Sequence, residues 1–86
     1  MLKVILHKNA AKHYRNAEKK LQGRINTAIN TILENPRHHL HIRKLEGELK
    51  DMYRYRLGDI RILYEIHEDI KTIRIKAIEA RGSAYK

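Results

Sequence analysis

The segment from Met52 to Ile66 constrains the fold more than any other part of this 86-residue chain. Apolar residues and arginines alternate along it, with the dipeptide Gly58-Asp59 in the middle. The apolar positions are Tyr53, Tyr55, Leu57, Ile60, Ile62, Tyr64 and Ile66, and the arginines between them are Arg54, Arg56 and Arg61. A period of two is typical of strands that bury one face, and Gly-Asp is typical of a tight turn. The segment therefore predicts an antiparallel hairpin with one apolar face and one basic face.

The residues before this hairpin predict a strand and two helices. Residues 2–6 alternate as a short strand, and Asn9 is a possible N-cap for a helix that runs to Gln22 and ends at Gly23. A second helix is expected from Arg24 to Glu34, because apolar residues recur there at helical spacing until Asn35-Pro36 ends it. The basic residues 37–51 show no regular pattern.

A last strand is predicted from Thr72 to Ala80, with Ile73, Ile75 and Ala77 facing inward and Glu68-Asp69 in the preceding turn. The predicted fold class is α+β: an N-terminal strand, an antiparallel helical hairpin, and then a three-stranded antiparallel meander. Both helices are expected on one face of the sheet, which leaves the other face partly open.

The composition predicts a single domain over residues 1–86 with a polyanionic partner. Nineteen Lys and Arg oppose ten Asp and Glu, which gives a net charge of +9. A field of this sign attracts nucleic acid, and also acidic proteins. The absence of cysteine excludes disulfides and thiolate metal sites. The N-terminal apolar run is too short for a signal peptide or a membrane span, so a cytoplasmic protein without membrane contact is expected.

Arg54, Arg56 and Arg61 are expected on the same open face of the sheet, because side chains repeat with a period of two. Guanidinium groups bind phosphate oxygens in a bidentate fork and stay charged at physiological pH. The pattern therefore fits a phosphate-binding site. It fits equally an ordinary solvated sheet face, where basic residues also guard against edge pairing. Spacing alone leaves both interpretations open.

Two segments of the chain resemble the RelE/ParE toxin family. The family's KL-x-G element is resembled by Lys44-Leu45-Glu46-Gly47. The run from Arg54 to Tyr64 resembles the family's R-x-R-x-G-D-x-R-x-x-Y pattern. The tail from Arg81 to Tyr85 is similar to the closing R-x-x-x-Y of the family. The opening strand and helical hairpin agree with the family fold, so the resemblance covers the whole chain.

The resemblance implies a type II toxin that cleaves messenger RNA in the ribosomal A site, by attack of a ribose 2′-hydroxyl on the neighbouring phosphate, without metal or cofactor. It implies that Arg54 and Arg56 contact the scissile phosphate region and that Arg61 stabilises charge developing on the phosphate. Arg81 matches a phosphate ligand or proton donor, and Tyr85 matches a tyrosine that orients a base or assists proton transfer. Family members can have lysine at the positions of Arg54 and Arg56, which leaves the general base unassigned among Glu79, Tyr85 and the ribosome.

The resemblance also implies a cognate acidic antitoxin as protein partner. Six further basic residues are expected to bind ribosomal RNA, or else to form only a solvated surface; they are Lys12, Arg15, Lys19, Lys20, Arg43 and Lys44. His38, His39 and His41 lack a third ligand of usual spacing, so a basic loop is favoured over a metal site. Two alternatives stay open: a ParE-like inhibitor of DNA gyrase without nuclease activity, and a non-toxic RNA-binding relative.

Overall fold

The computed structural model describes residues 2–45 and 52–80, which contain two helices and five strands. The two helices follow the first strand, and the other four strands follow the helices. In chain order the elements are β1 (Lys3–Leu6), α1 (Lys8–Asn16), α2 (Lys19–Glu34), β2 (Ile42–Lys44), β3 (Met52–Leu57), β4 (Ile60–His67), the 3-10 turn Glu68–Ile70 and β5 (Thr72–Ala80).

All five strands form one sheet in the order β1-β5-β4-β3-β2. The predicted meander is confirmed, because β3, β4 and β5 pair antiparallel with their neighbours in the chain. Gly58 lies in the β3–β4 turn with a φ of 58°, a left-handed value that favours glycine. β1 pairs parallel with β5 at one edge, and β2 pairs antiparallel with β3 at the other. The fold class is α+β, as predicted.

The core lies between the helices and one face of the sheet, where α1 packs on β5 and α2 packs on β3. The apolar stripe of α2 follows helical spacing and points at the sheet. The buried residues of the core are Ala10, Ile25, Ala28, Ile29, Ile32, Tyr53, Tyr55, Ile60, Ile62, Tyr64, Ile66, Ile73, Ile75 and Ile78. Every apolar residue of β4 that was predicted to face inward is therefore buried.

The boundary between the two helices was predicted wrongly. The first helix ends at Asn16 instead of Gln22, and Gly23 lies inside α2. The side chain of Gln22 explains the early end, because its Nε2 donates a hydrogen bond of 2.8 Å to the backbone oxygen of Tyr14 in the last turn of α1. Asn9, the expected cap, lies inside α1, and His7 occupies the cap position without a side-chain hydrogen bond.

The segment from residue 37 to 51 contains a strand that the sequence pattern did not predict. β2 has only three residues, which is too short for an alternating pattern to be recognised. Its hydrogen bonds come from β3: the N–H of Arg56 donates to the backbone oxygen of His41, and the N–H of Leu45 to that of Met52. β2 therefore forms because β3 offers it a free edge, and residues 46–51 lie outside the described residues.

The inward orientation predicted for Ala77 is also wrong. Leu63 pairs with Ala77 but Tyr64 pairs with Ile75, so Lys76 is an extra residue in β5. A bulge of this kind reverses which side chains face the core in the remainder of a strand. Ile78 is consequently buried at 3% exposure. Ala77 faces the opposite side of the sheet.

Candidate functional site

The face of the sheet opposite the helices carries four arginines on three adjacent strands. Arg43 of β2 pairs with Arg54 of β3, and Arg56 of β3 pairs with Arg61 of β4. Directly opposed residues have Cβ atoms about 4.5–5.5 Å apart, so both pairs place like charges side by side. The common face predicted for Arg54, Arg56 and Arg61 is confirmed. Arg43 joins them, and we call these four residues the arginine cluster.

One member of the cluster has a carboxylate partner on β5. The Nη2 atom of Arg61 donates a hydrogen bond of 2.9 Å to Oε1 of Glu79, and both side chains are about one-third exposed. The β5 bulge creates this pair, because without the extra residue Glu79 would face the helices. Among the described residues no carboxylate pairs with Arg43 or Arg56, and both side chains are exposed. The cluster therefore keeps an excess of positive charge.

A groove of about 360 Å³ runs along the β2 edge of the cluster. Its lining combines three arginines with two apolar residues and one histidine. It is lined by Leu40, His41, Ile42, Arg43, Arg54 and Arg56. Guanidinium groups on both sides of a groove suit a phosphodiester backbone, because each can donate paired hydrogen bonds to phosphate oxygens.

Two of the histidines that precede β2, His39 and His41, form a cluster of rings with Tyr55. The ring of His39 stacks on Tyr55 at 5.8 Å between centroids, and the ring of His41 lies 5.7 Å from Tyr55 and 5.4 Å from His39. The backbone N–H of His41 donates to Nδ1 of His39 at 3.1 Å. The described residues contain no group of three or more potential metal ligands. The sequence pattern suggested only a basic loop here, because the contact with Tyr55 depends on β2 pairing with β3.

The other basic residues that the sequence predicted to bind RNA lie apart from the cluster. Lys12, Arg15, Lys19 and Lys20 are exposed on the helices, which cover the opposite face of the sheet. Lys44 pairs with Tyr53, so it faces away from its neighbour Arg43. Arg81 and Tyr85 lie outside the described residues. No helix in the described part of the chain is long and apolar enough to cross a membrane.

A family model describes the same chain. The model for "ParE toxin of type II toxin-antitoxin system, parDE" matches residues 4–85. A comparison with curated proteins gave no match.

Solved structures share the fold over nearly the whole chain. The archaeal RelE–RelB complex from Pyrococcus horikoshii OT3 matches with 34% identity and a TM-score of 0.75, over 94% of this chain and 96% of that chain. The RelB–RelE complex from Methanococcus jannaschii matches with 25% identity and a TM-score of 0.74, over 95% of both chains. The isolated Escherichia coli RelE toxin is only 18% identical, but its TM-score is 0.81 over 94% of this chain and 85% of that chain. The chain therefore belongs to the ParE toxin family, within the RelE/ParE superfamily of type II toxins, and it has the fold of RelE.

Proposed function

We propose that this toxin is a metal-independent endoribonuclease that cleaves messenger RNA on the ribosome. The observation that carries the proposal is the arginine cluster, which lies on a sheet face that the helices leave uncovered and lines a groove at its edge. Arg43 and Arg56 have no carboxylate partner among the described residues, so the cluster keeps positive charge that a bound phosphodiester neutralises. The same face would serve a purely structural role poorly, because like charges directly opposite destabilise a sheet.

The reaction is attack of a ribose 2′-hydroxyl on the neighbouring phosphate. Negative charge develops on the non-bridging phosphate oxygens in the transition state, and donors already fixed in place stabilise it at low reorganisation cost. Arg61 is suited to this task because Glu79 holds its guanidinium in one orientation. Arg54 and Arg56 bind the flanking phosphates, and Arg43 extends the cluster to the edge of the sheet. Arg81 and Tyr85 complete the proposed site.

The partners follow from charge and from the relatives. Two of the relatives were solved as complexes of RelE with RelB. We propose a cognate antitoxin for this chain, and an acidic one, because the net charge is +9. We assign the exposed residues Lys12, Arg15, Lys19 and Lys20 to ribosomal RNA, which they would bind through phosphates without reading sequence. Lys44 belongs to the same docking surface. The proposed location is the cytoplasm, where ribosomes are found.

The proposal is tested by mapping RNA ends after the purified toxin is added to translating ribosomes. Cuts at a fixed position within codons are expected for the wild-type protein. Arg61→Ala should reduce the single-turnover rate at saturating ribosomes by about 100-fold or more, the usual cost of removing one such donor. Arg74→Ala is the matched control, because Arg74 is an exposed arginine of the same sheet face that pairs with Glu65, away from the cluster. Absence of cuts, or equal rates for both variants, would contradict the proposal.

Inhibition of DNA gyrase is the second candidate function, because the matching family model is that of ParE. A toxin of this kind binds its target without chemistry, so the arginine cluster would contribute only to binding. Supercoiling assays separate the two functions: inhibition of gyrase with no cleavage of ribosome-bound RNA would reverse the ranking. Growth arrest on expression distinguishes both toxins from a non-toxic RNA-binding relative.

A further inference from the structure

A second concave site lies at the end of the β3–β4 hairpin, where the turn meets the start of α2. It is a cleft of about 470 Å³ between these two elements. This volume is within the range of about 300–1,000 Å³ that is typical of small-molecule sites. None of the four arginines of the cluster lines it, so the cleft is distinct from the groove at the β2 edge.

The guanidinium group of Arg24 lies directly against the hairpin turn. Arg24 belongs to α2 and is exposed. Its Nη2 atom is 2.9 Å from the position that a Cβ atom at Gly58 would occupy, and no other described residue beyond the chain neighbours of Gly58 comes within 4 Å of that position. The Arg24 side chain forms no hydrogen bond or ion pair with any described residue. Its donors can therefore bind a ligand at the turn.

The lining of the cleft differs in charge from the arginine cluster. Two cations, Lys20 and Arg24, line it together with two carboxylates, Glu18 and Asp59, so their formal charges cancel. The arginine cluster keeps an excess of positive charge, which suits phosphate. A lining without net charge that offers both donors and acceptors suits a neutral ring whose edge carries both kinds of group.

The rest of the lining includes apolar side chains. Leu21 is half-buried, and Ile60 is only 8% exposed. A nucleobase has flat faces that pack on apolar or planar groups, and a polar edge that a guanidinium can bind with paired hydrogen bonds. The cleft therefore offers a partner to both the faces and the edge of a base.

The cleft is close to one end of the arginine cluster. Arg56 and Arg61 pair with each other, and a single residue pair separates them from the turn at Gly58. Two residues of a strand extend about 7 Å. A nucleotide whose phosphate is bound by Arg56 and Arg61 therefore lies next to the turn, and its base can reach the cleft around the end of the hairpin.

We propose that this cleft binds one nucleobase of the RNA substrate and that Arg24 contacts the base there; this inference rests on the proposed function. The arginine cluster binds phosphates, which are the same in every nucleotide and carry no sequence information. The cleft adds a contact to a base, which can carry such information. Arg24 is thus a binding residue that takes no part in the chemical step.

The test measures the binding of two probes by fluorescence anisotropy. One probe is a hexanucleotide RNA that contains all four bases, and the other is an abasic ribose–phosphate chain of the same length. Arg24→Gln should weaken binding of the hexanucleotide by about fivefold or more, the loss expected for one good contact to a base. It should change binding of the abasic chain by less than about twofold and leave the salt dependence at its wild-type value, because no phosphate contact is lost.

Three further variants serve as controls. Arg43→Gln removes a phosphate contact and should weaken binding of both probes alike. Arg74→Gln removes an exposed arginine that lines neither the cleft nor the groove, and both probes should bind it within about twofold of wild type. Gly58→Ala should weaken binding of the hexanucleotide selectively, because the added methyl group displaces the Arg24 guanidinium. Thermal unfolding of each variant sets an assay temperature at which all of them are folded.

Equal losses of both probes for Arg24→Gln, with a weaker salt dependence, would show that Arg24 contacts a phosphate and would overturn the assignment. Wild-type binding of the hexanucleotide by Arg24→Gln would overturn it as well. Both results leave the proposed function intact, because cleavage is measured separately by mapping RNA ends on ribosomes. Base-dependent binding through Arg24 without any cleavage by the wild-type protein would overturn the nuclease assignment and retain the cleft as a base-binding site.

Discussion

The two faces of the sheet are built from alternate residues of the same strands, but they depend on opposite kinds of interaction. In β4, Ile62 faces the helices and is completely buried, while the next side chain toward the N-terminus, Arg61, faces the other way and is 31% exposed. Burial of an isoleucine contributes about 1.5–3 kcal/mol, whereas a partly exposed ion pair contributes about 0–1 kcal/mol. Stability therefore resides mainly on the helical face, and the open face can hold charges whose arrangement serves a ligand.

The largest expected effect comes from exchanging these two neighbours for alanine. Ile62→Ala should lower the free energy of unfolding by about 2–5 kcal/mol, because it leaves a cavity between the sheet and the helices. Arg61→Ala should change it by less than about 1 kcal/mol, since its pair with Glu79 is partly exposed and such pairs contribute little. Urea denaturation of the two variants measures both values. Equal losses would show that the open face supports the fold as much as the core does.

The same contrast explains which parts of the structure could be predicted from the sequence. β3 and β4 follow from alternation, because each side chain there is selected by the face on which it lies. The common face of Arg54, Arg56 and Arg61 follows from the same pattern and from the tight turn at Gly58. These are local properties, and a local pattern is enough to predict them.

Features that depend on distant pairing could not be predicted. β2 is too short to show a pattern, so the place of Arg43 opposite Arg54 and the stacking of His39 on Tyr55 became visible only in the sheet. The bulge at Lys76 is defined by its register with β4, and it places Glu79 beside Arg61. The end of α1 depends on a hydrogen bond from the next helix. Each of these features changes the positions of individual residues more than it changes the overall fold.

The second prediction compares the cluster with the basic surface of the helices. Arg43→Gln should weaken binding of a short single-stranded RNA by about five- to tenfold. It should also reduce the slope of the logarithm of the binding constant against the logarithm of the salt concentration by about 0.7, the value for one phosphate contact. Lys20→Gln removes the same charge from the helical side and should change affinity less than about twofold, because that surface is assigned to ribosomal RNA. Fluorescence anisotropy at several salt concentrations measures both. Similar losses for the two variants would mean that binding follows net charge and not the cluster.

A third prediction concerns the polar group inside the apolar face. The hydroxyl of Tyr64 donates a hydrogen bond of 2.6 Å to the backbone oxygen of Pro36, although the residue is completely buried. Tyr64→Phe should lower the free energy of unfolding by about 1 kcal/mol, the usual net value of such a bond. Chemical denaturation at neutral pH measures this loss, and no loss would mean that water replaces the bond at no cost.

The same variant has a signature at alkaline pH. Burial raises the pKa of Tyr64 above its ordinary value of 10.0, and the nearby Tyr53 adds to this effect while Arg37 opposes it. A raised pKa in the folded state means that the unfolded chain loses its proton first, so this contribution to stability is complete below about pH 10 and is lost as the pH rises further. The difference in unfolding free energy between wild type and Tyr64→Phe should therefore shrink above that pH, and a constant difference would contradict the shift.

The smallest expected effect on stability belongs to Glu79→Gln, which nonetheless distinguishes two roles of the Arg61–Glu79 pair. Loss of this partly exposed pair should change the free energy of unfolding by less than about 1 kcal/mol. If Glu79 only neutralises Arg61, its removal should raise both RNA affinity and cleavage rate. If Glu79 orients the guanidinium, affinity should rise by up to about fivefold, because one negative charge is removed near the phosphates, while the single-turnover rate falls.

We expect affinity to rise and the single-turnover rate to fall, because the 2.9 Å contact with Glu79 fixes one nitrogen of Arg61. The β5 bulge is what turns Glu79 toward this face of the sheet. Glu68→Gln is the control: it removes a carboxylate that lies 3.7 Å from Arg37 in the 3-10 turn region, and neither residue belongs to the cluster. Its affinity and rate should stay within about twofold of wild type, since exposed charges farther apart than the Debye length of about 8–10 Å are largely screened. A rise in both RNA affinity and cleavage rate for Glu79→Gln would contradict this expectation. It would mean that the Glu79 carboxylate inhibits the toxin, because its negative charge repels the phosphates of the RNA.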